Sequence, residues 1–249
     1  EYGLPRMIVI NLLDKEHTDF FDTLSRVQQR YGTQAVPITL PIGENESFSG
    51  VIDLINMKAL NYQVEGDGKP TLGDIPENQI DIAMEYREKL MEIVAESNDE
   101  LLEQYFEAGE LTQAQLLDAL RKGICTGSIY PTLCTSASHN IGTSAVLNAI
   151  TTLMPSPTDR PTFRALQDGT DEELLLEADS SGPLSALIFK TVSEQHIGEL
   201  SYFRVYSGAI RHGDDVYNTS KDTTERFGQM YITLGRERTE MGTVRAGEI

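Results

Sequence analysis

Two short stretches carry residue types that could read a planar, hydrogen-bonding ligand. The first is Asn11-Leu12-Leu13-Asp14, directly after the apolar run Met7-Ile8-Val9-Ile10. An amide and a carboxylate three residues apart, at the carboxyl end of a strand in a parallel sheet, stand where α/β folds bind ligands. A carboxylate there can accept hydrogen bonds from the N1–H and exocyclic amine of guanine, a donor pair that adenine lacks. The same spacing also suits a strand end followed by a helix-capping acid. The second stretch is Cys134-Thr135-Ser136-Ala137-Ser138-His139-Asn140, again a strand end running into a helix. Its backbone N–H groups could donate to the guanine carbonyl while its small side chains allow close approach. The plain alternative is a Ser- and Asn-rich turn capping a helix at Thr143. Together the two stretches are more specific than either alone.

Other chemistries are poorly supported. Cys125, Cys134 and four scattered histidines show no zinc-ligand spacing. Ser136 and Ser207 have no neighbouring His and Asp in a nucleophile's arrangement. Paired acids such as Asp99-Glu100 and Glu172-Glu173 read as solvated charge, not acid–base pairs.

Met7–Ile10 reads as a strand buried on both faces. A helix is predicted from about Thr18 to Tyr31, where Phe20, Leu24, Val27 and Tyr31 recur at helical spacing and Gly32 supplies the stop. Val36–Leu40 reads as the next strand, so the chain opens strand, helix, strand, the pattern of a parallel α/β sheet. A strand over Phe48–Leu54 and a Gly66-Asp67-Gly68 loop follow, then helices over about Asn78–Ala95, Asp99–Ala108 and Thr112–Ile124. Asp99 and Thr112 are the expected N-caps. Strand character returns over Ile129–Cys134, and a helix over Thr143–Leu153 follows. Met154–Pro161 contains three prolines and reads as a linker. Beyond it the period becomes two, with short strands over Leu184–Val192, Ser201–Tyr206, Asp215–Tyr217, Arg226–Thr233 and Gly242–Arg245, the pattern of a small antiparallel barrel.

The chain has 249 residues, 39 acidic and 20 basic side chains, and a formal charge of -19. This balance argues against a general nucleic-acid binder and leaves room only for local RNA contact. The acid is concentrated: residues 36–133 carry 18 acidic and 6 basic groups, net -12, between two nearly balanced ends. That pattern suggests an inserted module with its own surface, or simply solvated helix faces. No apolar run reaches the ~18 residues that span a bilayer, and no signal-peptide pattern opens the chain. Two cysteines make no disulfide framework and fit a reducing cytoplasm.

The order Asn-x-x-Asp, acidic helical insertion, Ser-Ala loop, helix, Pro-Ser-Pro linker and barrel resembles the translational GTPase elongation factor G. The most specific match is Ser185-Ala186-Leu187-Ile188-Phe189-Lys190, with Gly198 and Phe203-Arg204-Val205-Tyr206-Ser207-Gly208. Gly213, Asp214, Arg226-Phe227-Gly228 and Arg245-Ala246-Gly247 add to it. Asp14 to Phe20 leans toward a paralogue of that factor.

The resemblance implies an α/β fold over residues 1–154, a partial P-loop-type G domain, with an α+β G′ subdomain inserted at about 36–128. A linker at 155–161 and an all-β, translation-factor-type barrel at 162–249 would follow, the chain reading as cut at both ends. By the same resemblance, Asn11 and Asp14 read guanine of GTP or GDP, with Ser136 and Ala137 supporting the base. The parent would couple GTP hydrolysis to ribosomal translocation in the cytoplasm. Its barrel would face ribosomal RNA, with Lys190, Arg204 and Arg226 the candidates for that contact or for barrel-edge pairing. The acidic insertion would face a stalk protein. Neither membrane nor DNA is an implied partner. Two departures stand out. Leu12 occupies the family motif's lysine position, and no G-x-x-x-x-G-K-[ST] loop occurs. These 249 residues are therefore expected to hold no magnesium and to be inactive alone. No catalytic residue is implied here, and none of His17, His139, His196 or His212 takes that role. A nucleotide-independent ribosome-binding module and a ribosome-protection or recycling GTPase are the alternatives.

Overall fold

The computed structural model describes residues 4–159, 162–167, 169–170, 172–194, 198–235 and 237–249. It divides into two compact units, Glu1–Pro155 and Ser156–Ile249.

In the first unit, β1 (Ile8–Ile10), β2 (Ala35–Pro37) and β7 (Tyr130–Cys134) form a parallel sheet in the order β1-β7-β2. Helix α1 (Phe20–Tyr31) connects β1 to β2, opening on Asp19, whose carboxylate accepts the Asp22 N–H at 3.0 Å. Phe20 and Leu24 turn its apolar stripe into the core.

The predicted strand Val36–Leu40 is in fact two. The backbone leaves the parallel sheet at Ile38, and β3 (Thr39–Ile42) starts an antiparallel sheet with β4 (Gly50–Asp53), β5 (Lys58–Asn61) and β6 (Thr71–Gly73). Ile38 spans both sheets, donating to Thr132 at 2.9 Å and accepting from Leu54 at 3.1 Å. Thr39 Oγ1 accepts the Cys134 N–H at 3.0 Å, which stitches β3 to β7.

Helices α2 (Ile80–Ala95), α3 (Asp99–Ala108) and α4 (Gln113–Thr126) follow. The N-cap of α3 is Asn98, not Asp99; its side chain accepts from Glu100 and Leu101, and Asp99 becomes the first helical residue. Thr112 caps α4 in a reciprocal box with Gln115. One hydrophobic cluster runs from Ile10, Leu24, Val36 and Leu133 through Val51 and Ile52 to Leu90, Leu116 and Leu120. The acidic segment therefore shares its core with the parallel sheet and sends its charge outward. Helix α5 (Thr143–Leu153) closes the unit.

The second unit is all-β. Hairpins β8 (Phe163–Leu166) with β9 (Glu173–Leu176) and β10 (Ser185–Glu194) with β11 (Gly198–Ser207) come first. Then β12 (Ala209–Arg211) pairs with β17 (Thr243–Arg245), β13 (Asp215–Asn218) with β14 (Thr223–Arg226), and β15 (Met230–Leu234) with β16 (Glu237–Met241). The predicted strand Arg226–Thr233 divides at Phe227-Gly228-Gln229, where the Phe227 backbone bonds to Gly213 and Asp214 instead. Val205, Ile210, Met230 and Val244 form the core, with Phe203, Phe227 and Met241 against it. Gly208 takes φ +74°, and a Cβ there would lie 2.8 Å from the Leu184 Cα, so the position admits only glycine without rearrangement.

Candidate functional site

Parallel pairing brings the two predicted stretches together. Ile8, Val9 and Ile10 register with Thr132, Leu133 and Cys134, and the Thr135 N–H donates to the Ile10 carbonyl at 2.9 Å. Both strands therefore end at the same edge, and the loops after them emerge side by side.

The loop after β1 is built from tight turns. Leu12 adopts a left-handed φ of 68°, which is costly for a Cβ-bearing residue, and its side chain is half exposed. The Lys15 N–H closes back on the Leu12 carbonyl at 3.0 Å, and the Thr18 hydroxyl donates toward the carbonyls of Leu13 and Lys15. Leu13 points into the core while Asp14, next along, is 6% exposed.

The second loop is closed by a bridge between Ser136 and Ile141, which exchange backbone hydrogen bonds of 2.9 Å. Ala137 and Ser138 form its exposed crown. Gly142 follows at φ +76°, where a Cβ would meet the Cys134 carbonyl oxygen at 2.6 Å. This glycine lets the chain fold back tightly from Cys134 into α5. The helix starts at Thr143 as expected, but Gly142 is its N-cap and gives no side-chain bond.

All four predicted site residues meet here. Ser136 Oγ donates to Asp14 Oδ1 at 2.6 Å, a buried charge-assisted hydrogen bond across 122 positions of sequence. Asn11 Oδ1 accepts the Ala137 N–H at 3.0 Å. Three residues the sequence reading did not assign also gather on Asp14. Lys15 Nζ lies 2.9 Å from Oδ2, Ser138 Oγ lies 3.4 Å from the same oxygen, and His139 Nδ1 lies 3.9 Å from it. Position beside Asp14 was the only sequence signal for Lys15; Ser138 and His139 were visible only as members of the loop.

Burial alone would raise the Asp14 carboxyl, but hydrogen bonds from Ser136 and Lys15 outweigh it and lower the pKa from the usual 3.8 to about 2. The group is therefore a fixed carboxylate at neutral pH, oriented by Ser136 and able to accept a pair of donors. It is unsuited to donate a proton or act as a base near pH 7.

The other candidates lie apart. His17 is exposed at φ 62°, His212 Nδ1 lies 3.1 Å from the Gly228 carbonyl, and His196 falls outside the described residues. In the second unit, Lys190 Nζ sits 5.8 Å from the Tyr202 ring centre and the Arg204 guanidinium 5.6 Å from that of Tyr206. Arg226, at the end of β14, is exposed. Among the described residues, no group of three or more His, Cys, Asp or Glu side chains is placed to hold a metal ion.

Residues 183–249 match the family model for elongation factor G domain 2. The solved structure of a protein from Thermus thermophilus is similar over 99% of this chain, with a TM-score of 0.80 and 27% identity. The chain spans about a third, 34%, of that protein's length.

Proposed function

We propose that the first unit reads the guanine base of GTP and GDP for a translational GTPase, a reading supported by the match of residues 183–249 to the elongation factor G domain 2 model. The observation that carries this reading is the buried contact of Ser136 with Asp14, which holds an ionised carboxylate at the carboxyl edge of the parallel sheet. Asp14 accepts the base's N1–H and exocyclic amine, Ser136 orients Asp14, and the Ala137 N–H, held here by Asn11 Oδ1 at 3.0 Å, turns to the base carbonyl when the base enters. Leu12, half exposed next to Asp14, offers an apolar surface to one face of the base.

No G-x-x-x-x-G-K-[ST] motif occurs within these 249 residues, so the role proposed for them is base reading alone. The full-length protein would hydrolyse GTP on the ribosome in the cytoplasm and couple this to translocation. Lys190, Arg204 and Arg226 are the residues proposed to meet ribosomal RNA, and the acidic insertion is proposed to meet a stalk protein. No helix of the described residues is long and apolar enough to cross a membrane.

A second reading, a ribosome-binding module without nucleotide control, is favoured by one observation: Leu12 stands where the motif lysine would be. A fluorescent-GDP titration of the full-length protein, with ADP as competitor, separates the two. Saturable binding that ADP does not displace supports guanine reading. A folded protein that binds neither nucleotide supports the module.

A further inference from the structure

The base-reading carboxylate has a competitor on its own loop. Lys15 directly follows Asp14, and its ammonium reaches back to Oδ2 at 2.9 Å. The two partners differ sharply in exposure, with side chains 57% exposed for Lys15 and 2% for Asp14. A carboxylate withdrawn this far from water requires partners for both oxygens. Ser136 serves Oδ1; Lys15 is nearest to Oδ2 at 2.9 Å, with Ser138 Oγ at 3.4 Å and His139 Nδ1 at 3.9 Å around the same oxygen. The backbone donor is engaged as well, because the Ala137 N–H is already given to Asn11 Oδ1 at 3.0 Å. Both groups that a guanine edge needs are thus satisfied within the protein.

Ser136 and Lys15 are not equivalent partners of Asp14. Ser136 is fully buried and locked by the Ser136–Ile141 bridge, so it cannot leave without opening the loop. Lys15 is a flexible side chain in solvent and can swing away without disturbing the core. A base entering against Asp14 therefore displaces Lys15 and keeps Ser136.

We propose that Lys15 is a displaceable cap on Asp14, competing with the guanine edge and setting the affinity for guanine nucleotides. This rests on the guanine reading above and adds a determinant of affinity to the same site. Lys15 acts through Asp14, the carboxylate it contacts at 2.9 Å. When a binding-competent arrangement is only partly populated, apparent affinity falls by that fraction, and removing the competitor restores it. A base must offer two donors at once to replace an ammonium on this carboxylate, so the cap disfavours bases that approach with acceptors.

The test is GDP binding by the full-length protein and its Lys15→Met and Lys15→Arg variants. Methionine keeps an unbranched stem without the charge. Lys15→Met should bind GDP about 2- to 5-fold more tightly, the range for relief of a partly exposed ion pair. Lys15→Arg should stay within about twofold of the parent because it preserves the cap, and ADP should remain excluded in all three. Binding by Lys15→Met alone would also support the cap, as an extreme case. Equal or weaker GDP binding by Lys15→Met, with the parent binding GDP, would overturn the cap and leave guanine reading intact. Binding by none of the three folded proteins would overturn both. A merely structural role for Lys15 predicts the opposite sign, since loosening the loop can only weaken binding.

Discussion

Replacing Ser136 with alanine isolates the contact on which the site depends. In the parent, Ser136 Oγ donates to Asp14 Oδ1 at 2.6 Å and accepts the His139 N–H at 3.3 Å, and the residue is wholly buried. A hydrogen bond to a charged group contributes about 1.5–3 kcal/mol. Its loss should raise the proton affinity of Asp14 by about 10- to 100-fold, because burial would then be opposed mainly by Lys15. The sign follows from the depressed pKa. With Asp14 at about 2 when folded against 3.8 when unfolded, its contribution is fully present above pH 3.8 and is lost as pH falls through about 2. That contribution is on the order of 1–2 kcal/mol once solvent around Lys15 is allowed for. In Ser136→Ala the folded value moves back toward 3.8, so the contribution shrinks toward zero and the stability difference between pH 7 and pH 3 narrows. The assay is a titration of the Asp14 side-chain carboxyl carbon by NMR, with thermal unfolding by circular dichroism at pH 7 and pH 3. The reasoning is refuted if Asp14 in the parent titrates near 3.8, or if the alanine variant has the same midpoint.

Three further outcomes follow from the backbone and the thiols. Leu12→Gly should stabilise the first unit by about 0.5–1 kcal/mol, since relief of left-handed strain exceeds the glycine's added chain entropy; an unchanged or lower melting temperature would count against the φ of 68°. Gly142→Ala should destabilise it by at least about 2 kcal/mol, combining a positive φ with a Cβ 2.6 Å from the Cys134 carbonyl oxygen. Thermal melting would read that loss, and the Asp14 titration should shift upward as the Ser136 loop loosens. Burial pushes the Cys134 thiol up to about 12, against a small opposing effect of Thr39. Iodoacetamide at pH 8 should therefore modify half-buried Cys125 and spare Cys134 until the protein unfolds; peptide mapping that finds Cys134 labelled first would contradict this.

What the sequence revealed depended on how locally each element is specified. Helices α3 and α5 fall over the expected ranges, 99–108 and 143–153, because such segments are specified without tertiary help, although the cap of α3 is Asn98 and not Asp99. The strands β5 and β6 escaped because each is short and they bury only Ala59 between them. Ile38 concealed a sheet change, since an apolar run through it looks continuous whether or not the backbone changes partners. Arg226–Thr233 read as one strand because Met230-Tyr231-Ile232-Thr233 is rich in strand-forming residues, while the backbone of Phe227 before it is diverted to the 213–214 turn. In the site, Asn11, Asp14, Ser136 and Ala137 were legible because each follows a strongly apolar strand. Lys15 was not, because a lysine beside an aspartate usually denotes solvated charge and only the fold shows its partner to be buried.

The central claim is that Asp14 reads the donor edge of guanine. Exchanging its carboxylate for an amide reverses part of that pattern, and xanthine, which carries a carbonyl where guanine has its amine, is the matching base. The measurement is GDP and xanthosine diphosphate affinity for the full-length protein and its Asp14→Asn variant, with folding checked by circular dichroism. The account predicts that the parent prefers GDP, and that the variant loses at least about 100-fold in GDP affinity while gaining xanthosine diphosphate, as expected for two mispaired, desolvated hydrogen bonds. Undiminished GDP binding by Asp14→Asn, with no gain for xanthosine diphosphate, would contradict it.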